Sequence, residues 1–345
     1  MLFPTSEWIV AKPDSEGVDA AHLVTALDFL AANTGKDGTA KTMVVRRGRM
    51  IHGGPQADLV HGVWSMTKVF TSTVLGLLVD DGRCTLKTRA ADIVGELAKS
   101  YPGITLRHLA TMTSGYRASG DEPAGTYLHG PSKTPWVPDA SPLFTPPGSQ
   151  FAYWDSAMNL FGLVLTRLAG EPLRDLFGRR IAEPIGMDPS AWDWGTLGED
   201  RGVAVQCGSG NMDRHVRTSP RQMARFGHLL LNDGQWNGRT LISRQWVREA
   251  TRVQVAADLP WAQPECGIDG RGVYGFNWWT NGVLADGLRY WPEAPAGTFA
   301  ACGFNNNRCF VIPEWQMVIV RMGLDGNVDR GVWNGFFARL APGVH

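Results

Sequence analysis

The sequence has no excess of either charge: Lys plus Arg and Asp plus Glu each total 33, a formal net charge of zero. That balance gives no pull toward a polyanion, so neither nucleic acid nor an anionic membrane is an expected partner. Cysteine is scarce and odd in number, with Cys84, Cys207, Cys266, Cys302 and Cys309 and no CxxC. A complete disulfide framework and a zinc knuckle are therefore excluded, which leaves free thiols. No apolar run reaches the ~18 residues of a membrane helix. The longest, Val69 to Val79, is interrupted by Thr71, Ser72 and Thr73. Met1 to Trp8 lack the basic and apolar segments of a signal peptide, so the expectation is a cytoplasmic, soluble chain. Metal-binding signatures such as HExxH are missing, and Gly208-Ser-Gly210 lacks the rest of a dinucleotide fingerprint. Neither a metal nor a cofactor is expected.

What is present is an ordinary globular composition, 43% hydrophobic and 19% charged over 345 residues. That length supports a sizeable core and suggests two domains. Thr42 to His52 reads as a hairpin around Arg46-Arg47-Gly48. From Ser65 the apolar spacing becomes helical and stops at Gly82. Helical stretches follow at Thr105 to Met112, Ser156 to Leu168, Leu173 to Ile181 and Pro220 to Leu231. Between them, Ser114 to Gln150 is a long loop rich in proline and glycine, the kind of segment that walls a site. Strands return at Arg308 to Ile312 and Gln316 to Arg321, and Arg330 to Leu340 closes the chain as a helix. The expected fold is α/β (α+β): one antiparallel sheet built from both chain ends and flanked by helices. Residues 1–84 and 205–345 would form that domain. Residues 85–204 would form an inserted, mostly helical one, with a cleft between the two. Fourteen tryptophans suit both core packing and an aromatic-lined cleft.

Ser65-Met66-Thr67-Lys68 is the sharpest chemical feature. Residues three apart share a helix face, so the lysine amine comes within reach of the serine hydroxyl. The helix start adds backbone N–H groups and a positive dipole end, which favour developing negative charge. A serine hydroxyl needs a base to become a nucleophile, and a lysine set among Val, Phe and Leu is a candidate. Alone, SxxK also describes a capping serine beside a surface lysine. A second feature is Tyr153-Trp154-Asp155 at a helix entrance, where a tyrosine can share the lysine proton and Asp155 can orient Lys68. His52, His61, His108, His129, His215 and His228 have no GxSxG elbow to serve, which disfavours a Ser–His mechanism.

These motifs, in this order, resemble the serine β-lactamase and penicillin-binding-protein superfamily, for which SxxK is a catalytic signature. Further blocks agree along the chain: Thr105 to Gly115, Glu183-Pro-Ile-Gly-Met187, Met223 to Gly227, Tyr274 to Trp279, and Gly303 to Pro313. The similarity is greatest to class C β-lactamase-like esterases and 6-aminohexanoate-dimer hydrolases. The resemblance implies a β-lactamase/transpeptidase-like fold and an acyl-enzyme on Ser65, with Lys68 and Tyr153 moving protons and Asp155 in support. It also implies an oxyanion hole from the Ser65 amide and the backbone near Ala301. Trp278, Trp279, Trp291 and Asn307 are the expected substrate-binding residues.

Two departures from the family pattern bear on the substrate. Asp155 stands where the family has asparagine, and a carboxylate beside a lysine favours its ammonium form and shifts base duty toward Tyr153. The third motif aligns with Thr298-Phe299-Ala300, where no cation stands; Arg308 or Arg321 is the candidate substitute. The leading expectation is a hydrolase of small, weakly charged esters or amides. The alternatives are a β-lactamase or D-amino-acid peptidase, and a non-catalytic binding protein that reuses the cleft. The oligomeric state is not readable in the sequence.

Overall fold

Both ends of the chain meet in one sheet. The computed structural model describes residues 1–122, 134–210 and 214–345. Seven strands, β1 (Ile9–Val10), β2 (Thr42–Arg46), β3 (Arg49–Gly53), β4 (Trp279–Thr280), β5 (Phe299–Gly303), β6 (Asn307–Ile312) and β7 (Met317–Arg321), lie in the order β1-β3-β2-β7-β6-β5-β4. All neighbours are antiparallel except β1 and β3, which run parallel, so the sheet is mixed where a purely antiparallel one was expected. The β2–β3 turn places Arg47 and Gly48 at φ 51° and 84°. Positive φ at both central residues matches the twist of a two-residue hairpin.

Five helices of eleven residues or more dominate the rest of the described chain: α1 (Ala20–Asn33), α2 (Thr67–Asp80), α3 (Asp155–Ala169), α4 (Pro220–Leu231) and α5 (Arg330–Leu340). Helices α4 and α5 cover opposite faces of the sheet, because successive strand residues point to opposite sides. Gly227 of α4 approaches Cys309 and Val318 on one face. On the other, Phe310 meets Trp333 and Phe337 of α5 at 4.7 and 5.1 Å, and α1 packs against α5. The expected helix 173–181 is α-helical only over Leu173–Phe177 and widens into a π-turn from Gly178. Glycine, the weakest helix former after proline, stands at that break.

Every residue of α2 from Thr67 to Leu78 is buried. Its apolar residues surround the axis rather than forming one stripe, as a central helix requires. Phe70 touches Phe177 and Phe226, and Gly76 lies so close to the Trp246 indole that a larger residue would overlap it. Among the described residues no helix is long and apolar enough to cross a membrane.

Candidate active site

The entrance to α2 is a strained turn. The short strand His61–Gly62 pairs with Val216–Thr218, and the Val63 amide donates to Val216 O. A single 3₁₀ turn, Trp64–Met66, then leads into α2. Trp64 holds φ at 47°, a left-handed conformation that costs a bulky residue on the order of 1–3 kcal/mol. Its ring is held by His215 at 5.1 Å and Phe304 at 6.2 Å. The result is a half-buried Ser65 facing a cavity of about 880 Å³. Gly210 and Gly303 flank the turn: a Cβ on Gly210 would overlap the Ser65 nitrogen, and one on Gly303 the Val63 carbonyl. Gly210→Ala is therefore expected to displace Ser65 and slow its chemistry by about 10²-fold. The rate of phosphonylation by a fluorophosphonate, set against the melting temperature, separates that displacement from unfolding.

Lys68 is 1% exposed and lies at the centre of the polar group. Its Nζ donates to Ser65 Oγ at 2.9 Å and pairs with Asp155 Oδ1 at 2.7 Å. It also sits 4.6 Å from the centroid of the Tyr153 ring. Asp155 opens α3, where a carboxylate suits the positive end of the helix. Tyr153 is 4% exposed. Burial holds its phenol well above the usual tyrosine range and the Asp155 charge adds to this, while a hydrogen bond with Ser65 opposes both. The phenol is thus protonated at rest.

The start of α3 is fixed by Asp121, a residue that sequence reasoning missed. Its carboxylate accepts from Trp154 Nε1 at 2.9 Å, from Ser156 Oγ at 2.5 Å and from the Ala118 amide at 2.7 Å. No local pattern marks Asp121, because its side-chain partners, Trp154 and Ser156, lie more than thirty positions along the chain at the start of α3.

The expected substrate residues divide. Trp279 and Trp291 line the cavity, and Tyr290 stacks on Trp279 at 14° and 5.5 Å. Trp278 does not: it points through the sheet to Phe226 and Phe299 and is 1% exposed. Asn307 does not either. It is fully buried and ties the β5–β6 turn to the end of β7, donating to Phe304 O and Gly323 O and accepting from the Gly323 amide. The Ala301 side chain, opposite Cys309, faces α4, while Cys302, Gly303 and Phe304 next to it line the cavity. None of the described residues of 114–150 lines the cavity.

Thr298, Phe299 and Ala300, where the third-motif cation was sought, are all buried away from the cavity. Arg308 does line it. Arg321 does not; it is fully buried and paired with Asp325 at 2.8 Å. Arg330, which sequence reasoning passed over, also lines the wall. Cys302 is on the wall too, its thiol pushed up to about 11 by burial and so protonated. None of the five cysteines forms a disulfide. Of the histidines, His215 supports the nucleophile turn, its Nδ1 at 2.9 Å from Gly210 O, while His129 lies outside the described residues.

Comparison with known proteins places the chain in a family of hydrolases. A family profile described as Beta-lactamase matches residues 31–322. The D-alanyl-D-alanine-carboxypeptidase/endopeptidase AmpH of Escherichia coli K12 is 33% identical over 149 residues, 40% of this chain; the match spans only 38% of that protein's length. The 6-aminohexanoate-dimer hydrolase of Paenarthrobacter ureafaciens is 23% identical over 94% of this chain and 82% of its own. Among solved structures, a family VIII carboxylesterase superposes with a TM-score of 0.66 at 19% identity, covering 95% of this chain and 99% of the other.

Proposed function

The chain belongs to the Beta-lactamase family, and from that premise we propose that it is a serine hydrolase that cleaves small carboxylic esters or amides through an acyl-enzyme on Ser65. The observation that carries this reading is the 2.9 Å contact between Lys68 Nζ and Ser65 Oγ in a buried setting. Ser65 Oγ attacks the substrate carbonyl as its proton passes to the Lys68 amine, which in the reacting form has given its extra proton to solvent; Lys68 then returns that proton to Tyr153 once the phenol has protonated the leaving group. The Ser65 amide and the backbone of Cys302 to Phe304 receive the developing oxyanion. Such donors contribute about 2.7–4 kcal/mol each. Tyr153, neutral at rest, protonates the departing alcohol or amine. Water then enters, gives up its proton to the same pair, and releases the acid.

A fluorophosphonate probe tests the reading without knowledge of the substrate. It is expected to label Ser65 in the wild type and to leave Ser65→Ala unlabelled; no labelling of the wild type rejects the hydrolase in favour of a binding protein.

The part assigned to Asp155 has its own check. Its negative charge helps hold the Tyr153 proton, so Asp155→Asn lets the phenol ionise at lower pH, although burial still keeps it high. The chain has six tyrosines, so the signal must be isolated. The ultraviolet tyrosinate difference between paired proteins with and without Tyr153→Phe is expected to begin at lower pH in the Asp155→Asn background. Identical onsets would contradict the charge effect.

A further inference from the structure

The connection between β4 and β5 is far longer than the loop that usually joins paired neighbours. It runs from 282 to 297 without a helix or strand among the described residues, and most of its side chains are exposed. A segment with so little buried apolar surface depends on its polar contacts for order. Yet it supplies Leu284, Tyr290 and Trp291 to the cavity wall.

One side chain gathers this segment. Asn281 is 1% exposed and stands directly after β4, where its backbone N–H donates to Thr298 O at 2.8 Å and continues the β4–β5 ladder. Its side-chain Nδ2 donates to Trp291 O at 2.9 Å, Ala294 O at 3.0 Å and Pro295 O at 2.9 Å. The two hydrogens of that amide are thus shared among three carbonyls. Its Oδ1 accepts from the Trp291 amide at 2.7 Å, and its own carbonyl accepts from Arg289 Nη1 at 2.9 Å. Each polar group of Asn281 is therefore in use. Trp291 is held at both its amide and its carbonyl, and the neighbouring Tyr290 ring meets the Trp291 ring edge-on at 4.8 Å. Ser65, Lys68 and Tyr153 stand on other elements, at the entrances to α2 and α3.

We propose that Asn281 is a positioning residue for substrate selectivity: it fixes the Tyr290–Trp291 edge of the cavity and so the size of group that this side accepts. The proposal rests on the hydrolytic reading above. Without the Asn281 amide, the carbonyls of 291, 294 and 295 turn to water and the segment loses its anchor. A wall that no longer fits a bulky group loses the contacts that favoured it over a small one, while the nucleophile and its base stay in place.

Two ester series read the selectivity. In the acyl series kcat/KM is compared for p-nitrophenyl benzoate and p-nitrophenyl acetate; in the alcohol series, for benzyl butyrate and methyl butyrate. Asn281→Ala is expected to lower the bulky-to-small ratio by about tenfold or more in one series, which assigns this wall to the acyl or the alcohol side. Asn281→Asp keeps the shape but has no hydrogens for the three carbonyls, so it is expected to lower the ratio as far or further. Asn281→Ser keeps a hydroxyl donor and is expected to fall between alanine and wild type; it carries the test where alanine prevents folding. Fluorophosphonate labelling of Ser65 is expected to persist in each variant. Trypsin gives a reading that needs no substrate: cleavage after the exposed Arg289 is expected to be on the order of tenfold faster in the variants. Ratios that rise or stay unmoved in both series, a uniform loss of every ester together with labelling, or unchanged cleavage after Arg289 overturns the assignment. Faster cleavage in the variants of a wild type that neither labels nor turns over an ester upholds the anchor and overturns the hydrolytic reading.

Discussion

Replacing Ser65 with alanine is expected to lower the hydrolysis of p-nitrophenyl butyrate by on the order of 10⁴-fold, with little change in stability. The reasoning is local. Ser65 is half-buried at the cavity and contributes no apolar surface to the core. Its hydroxyl accepts from Lys68 Nζ, which keeps the Asp155 carboxylate as partner after the substitution. Removing the hydroxyl therefore deletes the nucleophile while the buried ion pair survives. Stopped-flow or end-point release of p-nitrophenol measures the first quantity and thermal denaturation the second. Equal rates for variant and wild type would exclude Ser65 as the nucleophile, and a large drop in melting temperature would show that the serine is structural.

The second large effect concerns Lys68. In Lys68→Met the Asp155 carboxylate, 4% exposed, loses its cation. Stranding one member of a buried pair costs about 3–5 kcal/mol, and loss of a proton-transfer group slows the reaction by about 10²–10⁴-fold. Each loss alone is ambiguous, so the informative protein is the double variant Lys68→Met/Asp155→Ala. Replacing a buried ion pair by apolar residues of similar volume is often close to neutral. Denaturant titration is therefore expected to recover most of the stability, while kcat stays as low as in the single variant. Recovery of both would make Lys68 a structural lysine. Recovery of neither would mean that Asp155 has a role of its own in holding the start of α3.

The parts of this site that were legible in the sequence are those fixed by local periodicity. Ser65 and Lys68 are three residues apart, and one helical turn joins them whatever else the chain does. The hairpin at Arg47-Gly48 and the helices Pro220–Leu231 and Arg330–Leu340 are of the same kind, set by turn chemistry and spacing. Tyr153 and Asp155 stood out as a helix entrance, but only the family resemblance tied them to Lys68, since nothing in their own segment points at a lysine on another helix. Trp278 and Trp279 show where local reading ends. Trp279 begins a two-residue strand and Trp278 lies just before it, and which tryptophan faces the cleft depends on that strand's pairing with Phe299 and Ala300. Ala301 and Cys302 show the same limit, because successive strand residues face opposite sides and only the second lines the cavity. Asp121 and Arg330 were illegible for a further reason: the side chains they meet, Trp154 and Ser156 for Asp121 and Tyr290 for Arg330, lie far off in the chain.

The pairing of β2 with β7 joins Thr42–Arg46 to Met317–Arg321, segments from opposite ends of the sequence. As a matter of timing, that middle pairing forms only after most of the polypeptide exists. On the ribosome, β2 and β3 emerge early as a hairpin whose inner edge has no neighbour. Ser65, Lys68, Tyr153 and Asp155 follow, but the wall opposite them, Cys302 to Phe304 with Arg308 and Arg330, is among the last to be made. Contacts this distant in sequence make folding slow, and an unpaired apolar edge invites association with other chains in the interval. The interval ends when β7 closes on β2, and the strands and helix that wall the cavity are made on either side of that step.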